Sequence, residues 1–417
     1  MIVDSSKNNK SMKILQVNCV YRKGSTGKIV YDIHTELLRQ GIEDVVCYGR
    51  GEVIKEPHVH KTCPEWYSKL NNLWSRATGV MYGGLWFSTH KLISIIESEK
   101  PDIVHLHCIN GYFVNIYKIV SYLNRHHIRT VLSLHAEFMF TANCGHAFEC
   151  DKWKTGCGHC PRFRQETKSL FIDGTHRSWK LMKNAFDGFG DRLIVTSVSP
   201  WLENRARQSP ILSDVRHVTV MNGLDTNVFK SYGKECCRKQ FSMPLDKKIV
   251  FHATPFFTLD RNSLKGGHYV CELAKLMPDV SFIIAGRYDS HVHVPNNVKL
   301  LGQISSQLDL ARLYSLSDVT LLTSKRETFS MVTAESLCCG TPVIGFKAGG
   351  PESIAISEYT KFVDYGDTVT LLSVLQNALC AQYDKDEISE KGCKCYNRES
   401  MANGYIDLYK MLLKDDK

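Results

Sequence analysis

Two glutamates carry the most pointed chemistry in this chain. Glu327 and Glu335 stand with seven residues between them in the run from Asp318 to Gly340, DVTLLTSKRETFSMVTAESLCCG. The apolar start predicts a strand ending near Thr323, with Ser330 as a helix N-cap and Gly340 as the helix end. A helix start offers N–H groups with no partner inside the helix and the positive end of a dipole, which suits a diphosphate. Glu335, about one turn into the helix, leans back toward that start. Its carboxylate can accept two hydrogen bonds from the vicinal hydroxyls of a ribose. Glu327, in the loop, can reach hydroxyls of a sugar. Taken singly, either glutamate could as well solvate a helix start, where acids are favoured.

Other reactive side chains also follow apolar runs. His107 ends Asp102–His107, and His135 ends Arg129–His135. A neutral imidazole there can donate to a sugar hydroxyl. His105 is expected on the opposite face of its strand, in a structural role. Downstream of the strand expected at Lys248–Ala253, Arg261 and Lys265 precede Gly266-Gly267. A cation there can neutralise charge gathering on a leaving diphosphate. Cys144, Cys150, Cys157 and Cys160 are spaced x5, x6 and x2. Four thiolates would complete a tetrahedral structural zinc site, with His146 and His159 as substitutes. Free thiols or a redox pair are the competing readings. Stable disulfides are not expected in a reducing cytosol.

These residues need elements to hold them. Short apolar runs alternate with helical patterns in two successive stretches, which predicts two doubly wound α/β domains with parallel sheets. In such sheets ligands bind beyond the carboxyl ends of the strands, where the unusual residues lie. The chain has 417 residues, 43% of them hydrophobic, enough to give each domain a core. Its net charge of +9 suits an anionic substrate or membrane surface. No long Lys/Arg tract points to nucleic acid. No apolar run approaches the roughly 20 residues that span a bilayer. Trp66, Trp74, Trp86 and Phe87 are open to two readings, core packing or a membrane-facing region.

The glutamate pair, followed by Gly340-Thr-Pro-Val-Ile and Gly349-Gly350-Pro351-Glu352, resembles glycosyltransferase family 4, retaining enzymes of the GT-B fold. Gly24 to Gly27 is similar to that family's N-terminal glycine loop, and Asn222-Gly-Leu-Asp225 with Phe229 to its segment after the domain crossover. The cysteine string resembles an insert in a subset of colanic-acid and capsule transferases. The resemblance implies two Rossmann-like domains facing across a cleft, with a C-terminal helix closing back on the first. The expected divisions are a disordered leader over 1–11, an acceptor domain over 12–205 with its insert at 144–160, a donor domain over 206–395, and a C-terminal helix over 396–417.

It further implies that Gly27, Lys265, Glu327, Thr328, Phe329, Ser330, Met331 and Glu335 bind a nucleotide-sugar donor. His135, Lys265, Glu327 and Arg261 would serve catalysis, and His107 and Asn110 the acceptor. The family arginine nearer the strand has no counterpart here, and Arg261 is the local candidate. No catalytic metal is implied. The resemblance favours same-face attack, in which the leaving phosphate oxygen takes the acceptor proton and no protein base is required.

The leading expectation is therefore transfer of a sugar from a UDP- or GDP-sugar to a glycan or lipid-linked glycan for a surface polysaccharide. The place of action would be the cytoplasm, with contact at the inner face of the cell membrane. A sugar-nucleotide epimerase of the same fold is one alternative. A zinc-stabilised scaffold without catalysis is the other.

Overall fold

The computed structural model describes residues 12–414. The expected leader, 1–11, lies outside the described residues. The chain divides into two compact units. The first takes the chain up to Val198, Leu202–Val220 and the chain from Ala402; the second takes Ser199–Trp201 and Met221–Met401.

The first unit is built on seven parallel strands: β1 (Lys13–Asn18), β2 (Glu43–Tyr48), β3 (Val59–Lys61), β4 (Ile103–Leu106), β5 (Thr130–Leu134), β6 (Leu193–Ser197) and β7 (Arg216–Thr219). Their order in the sheet is β3-β2-β1-β4-β5-β6-β7. The inner strands are buried on both faces, as in Ile14, Leu15 and Val17 of β1, which is why they read as continuous apolar runs. β3 and β7 are short edge strands with weak apolar signals, and the sequence reading passes over both. Because β7 pairs with β6, the first unit extends to Val220, beyond the boundary expected at 205.

The second unit carries β8 (Ile249–Phe257), β9 (Ser281–Tyr288), β10 (Val298–Gly302), β11 (Val319–Leu322), β12 (Val343–Phe346) and β13 (Thr360–Val363). They are parallel, in the order β10-β9-β8-β11-β12-β13. In both sheets the chain reverses its direction of winding once, between β1 and β4 and between β8 and β11. Those two positions are the topological switch points where open α/β sheets bind ligands. The GT-B expectation of two Rossmann-like sheets is met.

The helix Arg398–Lys414 straddles the division, and its residues from Ala402 belong to the first unit. Tyr405 and Tyr409 from this helix are fully buried there. Gly24 does not sit in a loop as expected but opens the helix Gly24–Arg39, with Gly27 buried in its first turn. No helix among the described residues is long and apolar enough to cross a membrane.

Candidate active site

The second unit brings its candidates together at the β8/β11 switch point. Lys265 follows β8 and Glu327 follows β11, and their side chains form an ion pair with Nζ and Oε1 2.5 Å apart. Hydrogen bonds to main-chain carbonyls hold both loops in place. Thr323 Oγ1 donates to the Lys265 carbonyl at 2.8 Å, and the Lys325 N–H donates to the Leu264 carbonyl at 2.8 Å. Gly266 permits this approach: its φ is +61°, and a Cβ there would come within 2.3 Å of the Thr323 carbonyl oxygen. On its other side the Glu327 N–H donates to Ala348 O at 3.0 Å, and the Gly350 N–H to Glu327 O at 2.9 Å.

The helix Met331–Cys338 starts immediately beyond. Ser330 is its N-cap, with Oγ accepting from the Thr333 N–H at 3.2 Å. Gly340 follows the C-cap at a φ of +77°. Glu335 sits in the middle of this helix, half-buried, with Oε2 accepting from the Tyr314 hydroxyl at 2.9 Å. Burial and the adjacent Glu335 carboxylate hold the Tyr314 hydroxyl far above its ordinary pKa, so it stays a donor. The sequence does not announce Tyr314. It reads as a core aromatic of the preceding helix, and only the packing turns its hydroxyl onto Glu335.

Thr328 and Met331 are half-buried and Phe329 is buried. The Thr328 carbonyl accepts from Ser199 Oγ at 2.6 Å. Phe329 is thus part of the wall behind the loop. Arg261 is placed elsewhere. Its side chain is 77% exposed and pairs with Glu272 at 2.8 Å, on the flank of the helix Gly267–Leu276. The loop after Asp260 points that side chain along the helix that follows and into solvent, so its ion pair with Glu272 is a surface pair.

The first unit gathers its histidines at the β1/β4 switch point and the neighbouring end of β5. His107 is buried and His135 half-buried, with His107 Nδ1 and His135 Nε2 3.4 Å apart. His107 Nε2 lies 3.0 Å from Gln16 Oε1, and Gln16 Nε2 donates to Asp44 Oδ2 at 2.7 Å. Asp44 also meets His34 Nδ1 at 2.6 Å. A carbonyl oxygen only accepts, so the proton of His107 sits on Nε2. Neutral His107 then accepts at Nδ1, and His135 donates from Nε2. Burial pushes the pKa of His135 down to about 4 and that of His107 well below the usual histidine range. Both rings are neutral at pH 7.

His105 is not on the opposite face. Residues two apart on a strand share a face, and the His105 and His107 rings lie 3.8 Å apart between centroids. Its role is structural all the same. Its two nitrogens are engaged by Tyr409 OH at 2.6 Å and Ser133 Oγ at 2.7 Å. Asn110 hydrogen-bonds the Tyr82 hydroxyl from its side chain. Sequence reasoning missed Gln16 and Asp44 because a lone polar residue in an apolar strand carries no motif.

The cysteine segment is fastened just behind His135. Glu137, fully buried, accepts from the Ala147 N–H at 2.7 Å and from Arg205 Nη2 at 3.1 Å. Trp153 is buried beneath the segment, with Nε1 donating to the Cys150 carbonyl at 2.7 Å. Cys144, Cys150, Cys157 and Cys160 carry no disulfide. Among the described residues, no group of three or more His, Cys, Asp or Glu is arranged to hold a metal ion.

Known proteins resemble this chain in the same places. Residues 256–373, which include Lys265, Glu327 and Glu335, match the family described as glycosyl transferases group 1. A colanic acid biosynthesis glycosyl transferase, WcaC of Escherichia coli (strain K12), is 20% identical over 416 residues, covering 96% of this chain and 100% of WcaC. Sucrose-phosphate synthase from Thermosynechococcus elongatus superposes with a TM-score of 0.69 at 16% identity, covering 96% of this chain and 99% of that one. Anabaena Alr3699/HepE, solved in complex with UDP and glucose, gives 0.62 at 16% identity, with 96% and 100% covered. The fold is GT-B, and the sequence likenesses support a glycosyltransferase.

Proposed function

We propose that this protein is a retaining glycosyltransferase that moves a sugar from a UDP- or GDP-sugar onto a glycan or lipid-linked glycan acceptor in surface polysaccharide synthesis. The observation that carries the reading is the Lys265–Glu327 ion pair beside the Ser330-capped helix at the β8/β11 switch point. Cation and helix start together suit a diphosphate, and the carboxylates suit the sugar and ribose hydroxyls.

In this reading the Lys265 ammonium and the first-turn amides of the helix Met331–Cys338 take the diphosphate. Their attraction grows as negative charge gathers on the leaving oxygen, which lowers the barrier rather than merely binding substrate. Lys265 exchanges its contact with Glu327 for the phosphate, and Glu327 turns to a sugar hydroxyl. Glu335, steadied by Tyr314, accepts from the ribose hydroxyls. His135, neutral, hydrogen-bonds a hydroxyl of the sugar substrate. The acceptor proton passes to the departing phosphate oxygen, so neither a protein base nor a metal is required. His107 and Asn110 line the acceptor side of the first unit. A lipid-linked acceptor would be met at the inner face of the cell membrane.

Titration with UDP, GDP and ADP, with and without EDTA, tests the donor site. One nucleotide should bind, survive EDTA and weaken about 10- to 100-fold in Glu335→Ala, the range for losing hydrogen bonds to a charged group. If none binds even at millimolar concentration, the donor assignment fails and the scaffold reading replaces it. Structural zinc on Cys144, Cys150, Cys157 and Cys160 is a separate proposal, resting on their spacing in the sequence. Metal analysis of the purified protein should find about one zinc per chain if four thiolates close a site; none would leave a set of free thiols.

A further inference from the structure

The helix Glu65–Thr78 is inside out. The side chains it turns into the first unit are Tyr67, Ser68, Asn71 and Ser75, three of them polar. It docks through hydrogen bonds rather than an apolar seam: Asn71 Nδ2 donates to the Tyr112 carbonyl at 2.9 Å, and Asn71 Oδ1 accepts from the Leu85 N–H at 2.9 Å. Its apolar residues face outward, with Trp66 67%, Leu70 42%, Leu73 62% and Trp74 48% exposed. Positions 66, 70, 73 and 74 follow helical spacing, so they form one stripe.

The stripe continues at both ends. Beyond its start, the exposed Trp86 and Phe87 rings stack 4.4 Å apart, and the Phe87 N–H donates to the Tyr67 hydroxyl at 3.0 Å. Beyond its end, Arg76 Nε donates to the Lys168 carbonyl at 3.3 Å, and Gly79 lies against the Ile172 carbonyl. This brings Leu170, Phe171 and Ile172 alongside, with Phe171 87% exposed. Half of the large hydrophobic side chains exposed among the described residues belong to this one face. The core-packing reading of Trp66, Trp74, Trp86 and Phe87 is thereby overturned.

Charge selects the occupant. Between Glu65 and Glu97 the sequence contains no acidic residue, while Lys69, Arg76 and Lys91 are all exposed. Lys168 extends the basic rim at the far end. A second copy of this chain docked two-fold on the same face would set these cations against one another. An anionic bilayer meets both features, because tryptophans settle at the headgroup level while lysines and arginines meet the lipid charge.

We propose that this inverted face seats the protein on an anionic lipid surface, with the helix Glu65–Thr78 lying in the interfacial plane. It names the surface on which the lipid-linked acceptor of the proposed function would be met. Only that acceptor link rests on the glycosyltransferase reading; lipid binding does not.

The experiment is flotation of the whole protein with vesicles, without nucleotide. Phosphatidylcholine vesicles containing phosphatidylglycerol should carry the protein, vesicles of phosphatidylcholine alone much less, and added salt should weaken the binding. Leu73→Ser/Trp74→Ser/Phe171→Ser, all at exposed positions, should lower the partition at least about tenfold. Lys69→Glu/Lys91→Glu keeps the apolar stripe and should abolish the preference for phosphatidylglycerol. Nucleotide binding, measured separately, should be unchanged in both variants. No vesicle binding, equal binding to both compositions, or wild-type binding by the triple variant would overturn the proposal. So would a concentration-dependent dimer lost in the triple variant without vesicle binding, which would assign the face to a second copy. Loss of nucleotide binding with vesicle binding intact would sink the donor site instead.

Discussion

The two switch points are built from opposite materials. In the second unit the side chains at β8/β11 are charged and half-exposed, and stiffness comes from hydrogen bonds to main-chain carbonyls around Thr323, Glu327 and Gly350. In the first unit the groups at β1/β4 are uncharged rings, stiffened by a line of side-chain bonds from His34 through Asp44, Gln16 and His107 to His135. Under the proposed function, the difference follows from what each would recognise. A diphosphate is an anion whose charge grows during reaction, and opposing it needs a full cation, here held by the Glu327 carboxylate until ligand arrives. A hydroxyl is neutral and directional, and a neutral imidazole of fixed tautomer can meet it without burying a charge.

The sharpest way to break this contrast is to remove the cation. Lys265→Ala should lower the sugar-transfer rate constant about 10²- to 10³-fold, the scale of losing one group aimed at developing charge. A loss confined to KM would mean that Lys265 only binds. Next comes acid. His252, buried beside β11, has its pKa pushed down to about 4 by burial. Its folded pKa lies below its unfolded one, so its contribution is intact above pH 6.5 and fades as pH falls toward 4, a loss of about 3 kcal/mol at the low end. The first unit holds His105, His107 and His135 with the same sign of shift. Hydrogen exchange at pH 5 should therefore show the first unit opening before the second, and the reverse order would contradict the neutral-ring account.

A smaller effect is expected from the relay. Gln16→Leu removes the acceptor that holds the His107 proton on Nε2. The rate constant should fall about tenfold, the worth of one buried hydrogen bond, with nucleotide affinity unchanged. Ring nitrogen NMR shifts should show His107 and His135 losing their single tautomer, whereas a merely structural role would leave the tautomers fixed. Smallest of all, Arg261→Ala should leave turnover within about twofold, as for ordinary surface positions. A large loss would bring Arg261 back into the reaction, and with it the arginine expected from the family resemblance.

Much of this was legible beforehand because strand ends and helix caps are local. An apolar run of strand length, a Ser at the helix start and a Gly just past its end located Glu327, Ser330, Glu335 and Gly340 without tertiary information. The same logic found His107 and His135. Edge strands such as β3 and β7 carry too few apolar residues to announce themselves. Tyr314, Gln16 and Asp44 matter through partners distant in sequence, and no spacing rule connects them.

The sequence by itself determined the inner strands of the two parallel sheets and the residues at their carboxyl ends, set by neighbours a few positions away. Only the tertiary structure decided which way a periodic face turns. In Glu65–Thr78 an apolar stripe and a polar stripe lie on one cylinder, and period alone cannot say which is inside. Asn71 found two backbone partners in the body of the unit, and the tryptophans were left to the surface.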